Sequence, residues 1–444
     1  STAWHLALEL HVGTPNGKIT LERNAIMLRR AITLIALSIA VGGCMTTLAR
    51  NDATPVPTYT TSDGTAFVPE NAYPEWNWDT VQEYKMFGDN HLLTDDDVKR
   101  IAALSNFICI EKQHGKSDLG AAELGAKHET TRFKAINPDI KVLFYFNGAI
   151  PYAFTTYTKN FSPKQNKMTD QEKEDLLIFD AEKNEYYTSR NGSIYAYDIL
   201  KPALRTWWSD TVGKAVRKTG TDGVFWDQMH GWAWLRPRKA RQEVGKAHVK
   251  MQKLTRTAMG KDTILLCNNA AHNQEFIENC DAVMYEHYAP QHYRDNFQKY
   301  VDDWDQMLAV ANAGKINVYR WGVNLRGTKY EAADRRAKIA EKNHAELAEI
   351  AKNRVTFPLA CFLVGAQPYS YFMLSWGWGV NTGALVDFPE MKKPLGPPLG
   401  SYERQSEGKW VFTRRFKHAD VWVDLEKEEG RITWKQSDSK ADPR

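Results

Sequence analysis

Short continuous apolar runs, most of them ending in a polar or aromatic residue, recur along the chain at 106–111, 141–147, 194–198, 222–227, 263–268, 281–286, 316–321 and 359–365. Runs of this length without alternation mark strands buried on both faces, as in a parallel sheet. Between most of them the apolar period lengthens to that of a helix. Thr94 before Asp95, Asp96 and Asp97 supplies an N-cap and an acidic first turn, and Val98, Ile101, Ala102 and Leu104 follow at helical spacing. The stretch 202–219 has Pro202 in its first turn, Leu204, Trp208, Val212 and Ala215 on one face, and Gly220 as its stop. A long Ala/Glu/Lys-rich helix is expected over 330–353. Eight strands alternating with helices predict an α/β fold, a (β/α)8 TIM-type barrel. An open doubly wound sheet is the alternative, but no Gly-rich phosphate loop follows the first strand. Residues 149–193 are polar and Tyr-rich without a helical period, so either the second helix is degraded or an insertion covers the barrel mouth. Beyond the eighth run, a Pro/Gly-rich stretch at 391–400 leads to alternating segments at 409–416 and 419–424, which predict a small C-terminal β-sheet.

The first residues follow a different logic. Met27, Leu28, Arg29 and Arg30 precede an apolar run to Val41 and then Gly42, Gly43 and Cys44. That is the order of a secretory signal, and the run is shorter than the roughly 20 residues a membrane-spanning helix needs. Val41-Gly42-Gly43-Cys44 resembles a bacterial lipobox, which implies lipidation at Cys44 and a mature N-terminus there. The expected organisation is upstream translated sequence at 1–26, a signal at 27–43, an extended Thr/Pro-rich tether at 44–72, the barrel at 73–390, the β region at 391–430 and a tail at 431–444. An exported protein held to a membrane follows.

Composition narrows the partner. With 58 Lys+Arg against 54 Asp+Glu and 43% hydrophobic residues, the chain has material for a large core and no basic stripe for nucleic acid. Aromatic residues reach 12%, including 15 Trp, many of them beside polar or acidic residues. Rigid aromatic faces next to hydrogen-bonding groups suit sugar rings. Cys109, Cys267, Cys280 and Cys361 lack metal-ligand spacing and three of them lie in apolar runs, so buried free thiols are expected over disulfides. His287 and His292 have no zinc-type partner at helix spacing, and neither a metal nor another cofactor is expected.

In a parallel barrel, chemistry sits at the C-terminal ends of the strands. The run ends carry Glu111, Asn147, Asp198, Asp227, Asn268, Glu286 and Trp321. Asp227 leaves the core at the end of Asp222-Gly223-Val224-Phe225-Trp226-Asp227, whereas Asp222 starts that strand and is expected at the far end in a structural role. Glu286 ends its own run in the same way, and its structural alternative is an ion pair with an arginine such as Arg320. Substrate contacts are expected from Glu111, Asn147, Asp198, Trp226, Gln228, Asn268, Tyr285, His287, Trp321, Trp376 and Trp378.

Tyr197-Asp198, Lys201-Pro202, Arg205 and Trp207-Trp208, followed by Thr221-Asp222-Gly223-Val224-Phe225-Trp226-Asp227, resemble a pattern of glycoside hydrolases with barrels related to the α-amylase and polygalactosaminidase types. The chain is similar to the bacterial glycoside hydrolase-like family 15. Leu395-Gly396, Arg415-Phe416 and Val421-Trp422-Val423 resemble the C-terminal β motif of such families, and the likeness spans 73–425. It departs at 149–193 and at His418-Ala419-Asp420, where an Asn-Gly turn is common. The resemblance implies hydrolysis of a poly- or oligosaccharide with Asp227 and Glu286 as the catalytic carboxylates. One acid must protonate the leaving oxygen while the other attacks or activates water. Asp227 is expected as nucleophile or base and Glu286, among aromatic neighbours, as proton donor. A surface glycan-binding lipoprotein without activity is the competing reading, with a polysaccharide lyase as a third.

Overall fold

The computed structural model describes residues 58–286, 296–331 and 343–435. The leader, Cys44, His287 and His292 therefore lie outside the described residues. Eight parallel strands form the central sheet: β1 (Tyr84–Phe87), β2 (Phe107–Ile110), β3 (Lys141–Asn147), β4 (Gly223–Asp227), β5 (Ile264–Asn268), β6 (Ala282–Tyr285), β7 (Ile316–Gly322) and β8 (Ser370–Ser375). Each pairs with the next in chain order. The barrel closes between β8 and β1 through one parallel bridge, Glu83 to Phe372, where the Phe372 amide donates to the Gln82 carbonyl at 2.9 Å.

The helices α1 (Asp95–Leu104), α2 (Ala122–Ile136), α3 (Pro202–Thr219), α4 (Arg238–Met259), α5 (Gln274–Glu278), α6 (Gln298–Asn312), α7 (His344–Asn353) and α8 (Thr356–Gly365) lie in the connections between strands. The expected caps are present. Thr94 and Asp97 form a capping box at α1, and Gly220 ends α3 in the left-handed conformation at φ 71°. Of the helix expected over 330–353, the residues His344–Asn353 are helical, as α7, and Tyr330 lies in a turn.

Two apolar runs are not barrel strands. In 194–198 only Ile194–Tyr195 is strand, paired with Thr188–Ser189 in a hairpin of the excursion between β3 and α3, where Ala196 packs with Ile178 and Trp232. That excursion carries one short helix, Asp170–Leu176, so the segment 149–193 is an insertion. Run 359–365 is the helix α8, buried from Pro358 to Gly365. It lies against β7's neighbouring helix α6 on one side and the C-terminal sheet on another, and a helix that is apolar all round has no 3.6-residue period to betray it.

The strands that replace them are β1 and β8. In β1 the apolar pattern is broken by Lys85, which is buried because its ammonium meets the Glu83 carboxylate at 2.7 Å. The C-terminal sheet runs β9 (Glu403–Arg404), β10 (Val411–Arg415), β11 (Ala419–Asp424) and β12 (Glu429–Trp434), all antiparallel. The strand β12 takes in residues 431–434, which were expected in the tail, because Gly430, Ile432 and Trp434 alternate toward the protein. Arg414 of β10 locks the sheet to α8, donating from Nη1 to the carbonyls of Leu363, Val364 and Ala366.

The part of the expected tether from residue 58 onward is folded. Tyr59–Thr60 pairs with Ala66–Phe67, Phe67 stacks on Tyr369 at 4.7 Å, and the Ser62 amide donates to Gln367 Oε1 at 2.9 Å. This ribbon meets the chain just before β8, on the N-terminal side of the barrel. The same side holds Asp222, which accepts from the Val142 amide at 2.8 Å and from Lys134 Nζ at 3.0 Å, the structural role its position predicted.

Candidate active site

Side chains alternate along a strand, so every second residue at the C-terminal rim points into the barrel. Asp227, at the end of β4, is the hub. Its Oδ2 accepts from Tyr145 Oη at 2.5 Å and Asn147 Nδ2 at 3.3 Å, both from β3. Its Oδ1 accepts from Asn268 Nδ2 of β5 at 2.9 Å and from the Gln228 amide at 2.7 Å. Asn268 Nδ2 also donates to Glu286 Oε2, so one amide nitrogen joins the two carboxylates. The Glu286 backbone is fixed in turn, its N–H donating to Asn269 Oδ1 at 3.1 Å. Gln228 and Asn269 both hold left-handed backbone, at φ 57° and 54°. Such strain in residues other than glycine persists where surrounding bonds over-determine it.

Glu111, just past β2, faces the same space with its carboxylate paired to Lys112. Burial raises the Glu111 pKa against the pull of Lys112, and the Asp227 and Glu286 carboxylates add to the rise. For Lys112, burial is the largest single influence and acts downward, but the Glu111 charge and hydrogen bond together with the Asp227 and Tyr152 charges more than offset it, so its pKa is raised. The phenol of Tyr145 lies well above its ordinary pKa, through burial first and then the Asp227 and Glu111 charges. It is a permanent donor to Asp227. The Trp378 ring lies 4.6 Å from the Arg320 guanidinium and 5.9 Å from Lys112 Nζ. Asp227, Glu286, Asn268 and Gln228 line one open cleft of about 610 Å3, which also takes in His230, Trp234, Arg241 and His272. Among the described residues, no group of three or more His, Cys, Asp or Glu is placed to hold a metal ion. Cys109, Cys267, Cys280 and Cys361 are buried free thiols.

Glu111, Asn147, Asp227, Gln228, Asn268, Glu286 and Trp378 thus come together. Five other expected contacts do not. Trp226 is fully buried on the helical side, 4.6 Å from Trp208 of α3 and 5.9 Å from His248 of α4. Tyr285 stacks on Tyr319 at 4.5 Å, and Trp321 packs against Tyr300 and Phe357. Each directly neighbours an inward residue, so the strand's own alternation turns it outward. Trp376 is buried beside the His344 ring, 5.9 Å away. Asp198 pairs with Arg236 Nη2 at 2.6 Å and accepts from the Leu200 amide at 3.1 Å, so it anchors a loop.

Tyr145 and Lys112 were not foreseen. Tyr145 was accessible from its position two residues before Asn147, on the same face of β3. Lys112 carries no such signal, since a lysine after a strand is normally solvated.

Residues 134–420 of the 444-residue chain, well over half of it, match the family described as hypothetical glycosyl hydrolase family 15. The chain belongs to that family. As a member of hypothetical glycosyl hydrolase family 15 it is a glycoside hydrolase, and its substrate is a carbohydrate. No curated relative matches the sequence. Among solved structures, this chain is similar to Ega3 of Aspergillus fumigatus, solved in complex with galactosamine, at 14% identity over 72% of this chain and 99% of that one, with a TM-score of 0.38. It is also similar to the maltogenic α-amylase AmyB of Thermotoga neapolitana, at 11% identity, 79% and 87% coverage and a TM-score of 0.47. A β-L-arabinopyranosidase of Geobacillus stearothermophilus shares 12% identity over 78% of this chain and 83% of its own, with a TM-score of 0.44.

Proposed function

We propose that the protein hydrolyses a glycosidic bond of a poly- or oligosaccharide with retention of anomeric configuration, using Asp227 as nucleophile and Glu286 as acid and base. The observation that carries this reading is the shared Asn268 nitrogen. Two hydrogen bonds from one atom keep the bonded carboxylate oxygens within about 6 Å of each other. So close an approach of one oxygen pair suits the roughly 5–5.5 Å carboxyl separation of retaining enzymes better than the roughly 6.5–9.5 Å that admits a water in inverting ones.

In the first step Glu286 gives its proton to the glycosidic oxygen as an Asp227 oxygen attacks the anomeric carbon. The bond to the leaving sugar breaks and a glycosyl ester forms. Water then attacks the same carbon, losing a proton to Glu286, and the ester bond breaks to return Asp227. Each neighbour of Asp227 described above donates to it, which orients an attacking oxygen. Proton NMR of the first product from a polysaccharide that yields reducing ends is expected to show the anomer of the starting linkage. The opposite anomer would overturn retention, and binding without release of reducing ends would overturn hydrolysis.

Trp378 supports the sugar near this pair. Removing an aromatic face is worth about 1 kcal/mol, so Trp378→Ala is expected to raise KM roughly fivefold with little change in kcat. Unfolding of the variant with unchanged KM in the folded fraction would assign Trp378 to the core instead.

We also propose that the chain is exported and held at a membrane by acylation of Cys44, on the strength of the basic and apolar leader and the Val41-Gly42-Gly43-Cys44 sequence. Since one acyl chain binds marginally, several are expected. Cys44→Ala is expected to appear in the soluble fraction on cell fractionation. A variant that stays with the membrane sinks the proposal.

A further inference from the structure

The cleft extends beyond the two carboxylates. It follows the loop after β4 to Trp234, the one tryptophan among the described residues that is more than half exposed, at 55%. An indole left bare is unfavourable in water, and here the bareness does not come from a loose loop. The Trp234 ring lies 4.5 Å from the His230 ring and 5.4 Å from that of Trp232. Trp232 is itself fixed, its Nε1 donating to the Ala149 carbonyl at 3.0 Å and its backbone held left-handed at φ 55°. On the far side of the turn, Arg236 is tied to Asp198 at 2.6 Å. Two anchors on the excursion between β3 and α3 therefore hold the turn Ala233–Leu235 and present the indole to the cleft.

Among the described residues that line the cleft, the carboxylates are Asp227 and Glu286, and Arg241, His272 and Asn273 bring polar groups to it. A flat apolar face bordered by donors matches a pyranose, which has a C–H face and a rim of oxygens. His230, whose ring is 4.5 Å from the indole, lines the same cleft as Asp227, so the indole and the proposed nucleophile share one lining.

We infer that Trp234 is the platform of an outer sugar subsite next to the cleaved bond, so that the enzyme reads a stretch of saccharide chain and not a single terminal sugar. This rests on the glycosidase reading of the cleft. A preorganised ring adds affinity without the cost of ordering it. Its contribution appears only when the ligand is long enough to reach it.

The test uses Asp227→Asn protein, in which binding can be measured without turnover, and three hexasaccharide probes: maltohexaose, chitosan hexamer and hexagalacturonic acid. At least one is expected to shield tryptophan fluorescence from acrylamide. For that probe, adding Trp234→Ala is expected to raise Kd about tenfold, Trp234→Phe to restore most of the affinity, and the corresponding disaccharide to change by less than about twofold. Melting temperature should not move, because the ring is exposed. The proposal is overturned if no hexasaccharide shields the fluorescence, if Kd is unchanged, or if disaccharide and hexasaccharide lose affinity alike. Trp234-dependent binding by a wild-type protein that releases no reducing ends would overturn hydrolysis while the subsite stands. Hydrolysis with an unaltered KM in Trp234→Ala would remove the subsite alone.

Discussion

Asp227→Asn and Glu286→Gln are each expected to lower kcat by about 10³-fold or more and to leave the barrel folded. Both changes keep shape and remove the reacting oxygen's charge or the transferable proton. Asp227 is a demanding test because it is also a hydrogen-bond hub. An asparagine can still accept from one side of the site, either Tyr145 and Asn147 or Asn268 and Gln228, while its NH2 faces donors on the other. A modest fall in stability should accompany the loss of turnover, seen as a lower melting temperature with an unchanged far-ultraviolet spectrum. Full activity in either variant would remove the pair.

The largest loss of stability is expected from Gly223→Ala, at about 3 kcal/mol or more in urea unfolding. Gly223 opens β4, and a Cβ there would sit 2.0 Å from the Ile264 carbonyl oxygen of β5. The obstacle is the backbone of a paired strand, which has no rotamer to escape into. Gly220 gives the contrast, since it is left-handed at φ 71° but has nothing within 4 Å of a Cβ. Gly220→Ala should cost only about 1 kcal/mol, from conformation alone. Equal midpoints for the Gly223 variant and the wild type would show that β4 and β5 can separate without penalty.

These two residues explain why the segment from Asp222 to Asp227 is so legible. It encodes a floor contact at Asp222, a close strand approach at Gly223, a buried middle and a hub at the mouth. The barrel was readable because six of its eight buried strands are continuous apolar runs ordered with their helices. It was misread where burial departs from that rule: α8 is wrapped on all sides, so its residues look like a strand, and β1 carries a buried ion pair that hides it. The site was read by run ends, which found Asp227, Asn268 and Glu286. The same device misplaced Trp226, Tyr285 and Trp321, since it did not separate the inward from the outward residue of each pair. Lys112 and the anchoring of Asp198 to Arg236 arise from loops that meet only in three dimensions, for which local sequence has no signature.

The single bridge between β1 and β8 gives the barrel a seam, and that seam runs up to the mouth. Gly88, just past β1, donates to the Trp378 carbonyl at 2.8 Å, and the Asp89 carboxylate accepts from the Val380 amide at 2.7 Å. The carboxylates Asp227 and Glu286 lie on the opposite, fully laddered side, on or just past strands β4 and β6. Local opening follows the weakest stitching, so the site has two tiers of rigidity. The half that carries Asp227 and Glu286 is laddered as fully as the barrel itself, whereas the Trp378 half borders the seam, where on the proposed function a bound sugar would add stitching that the backbone lacks.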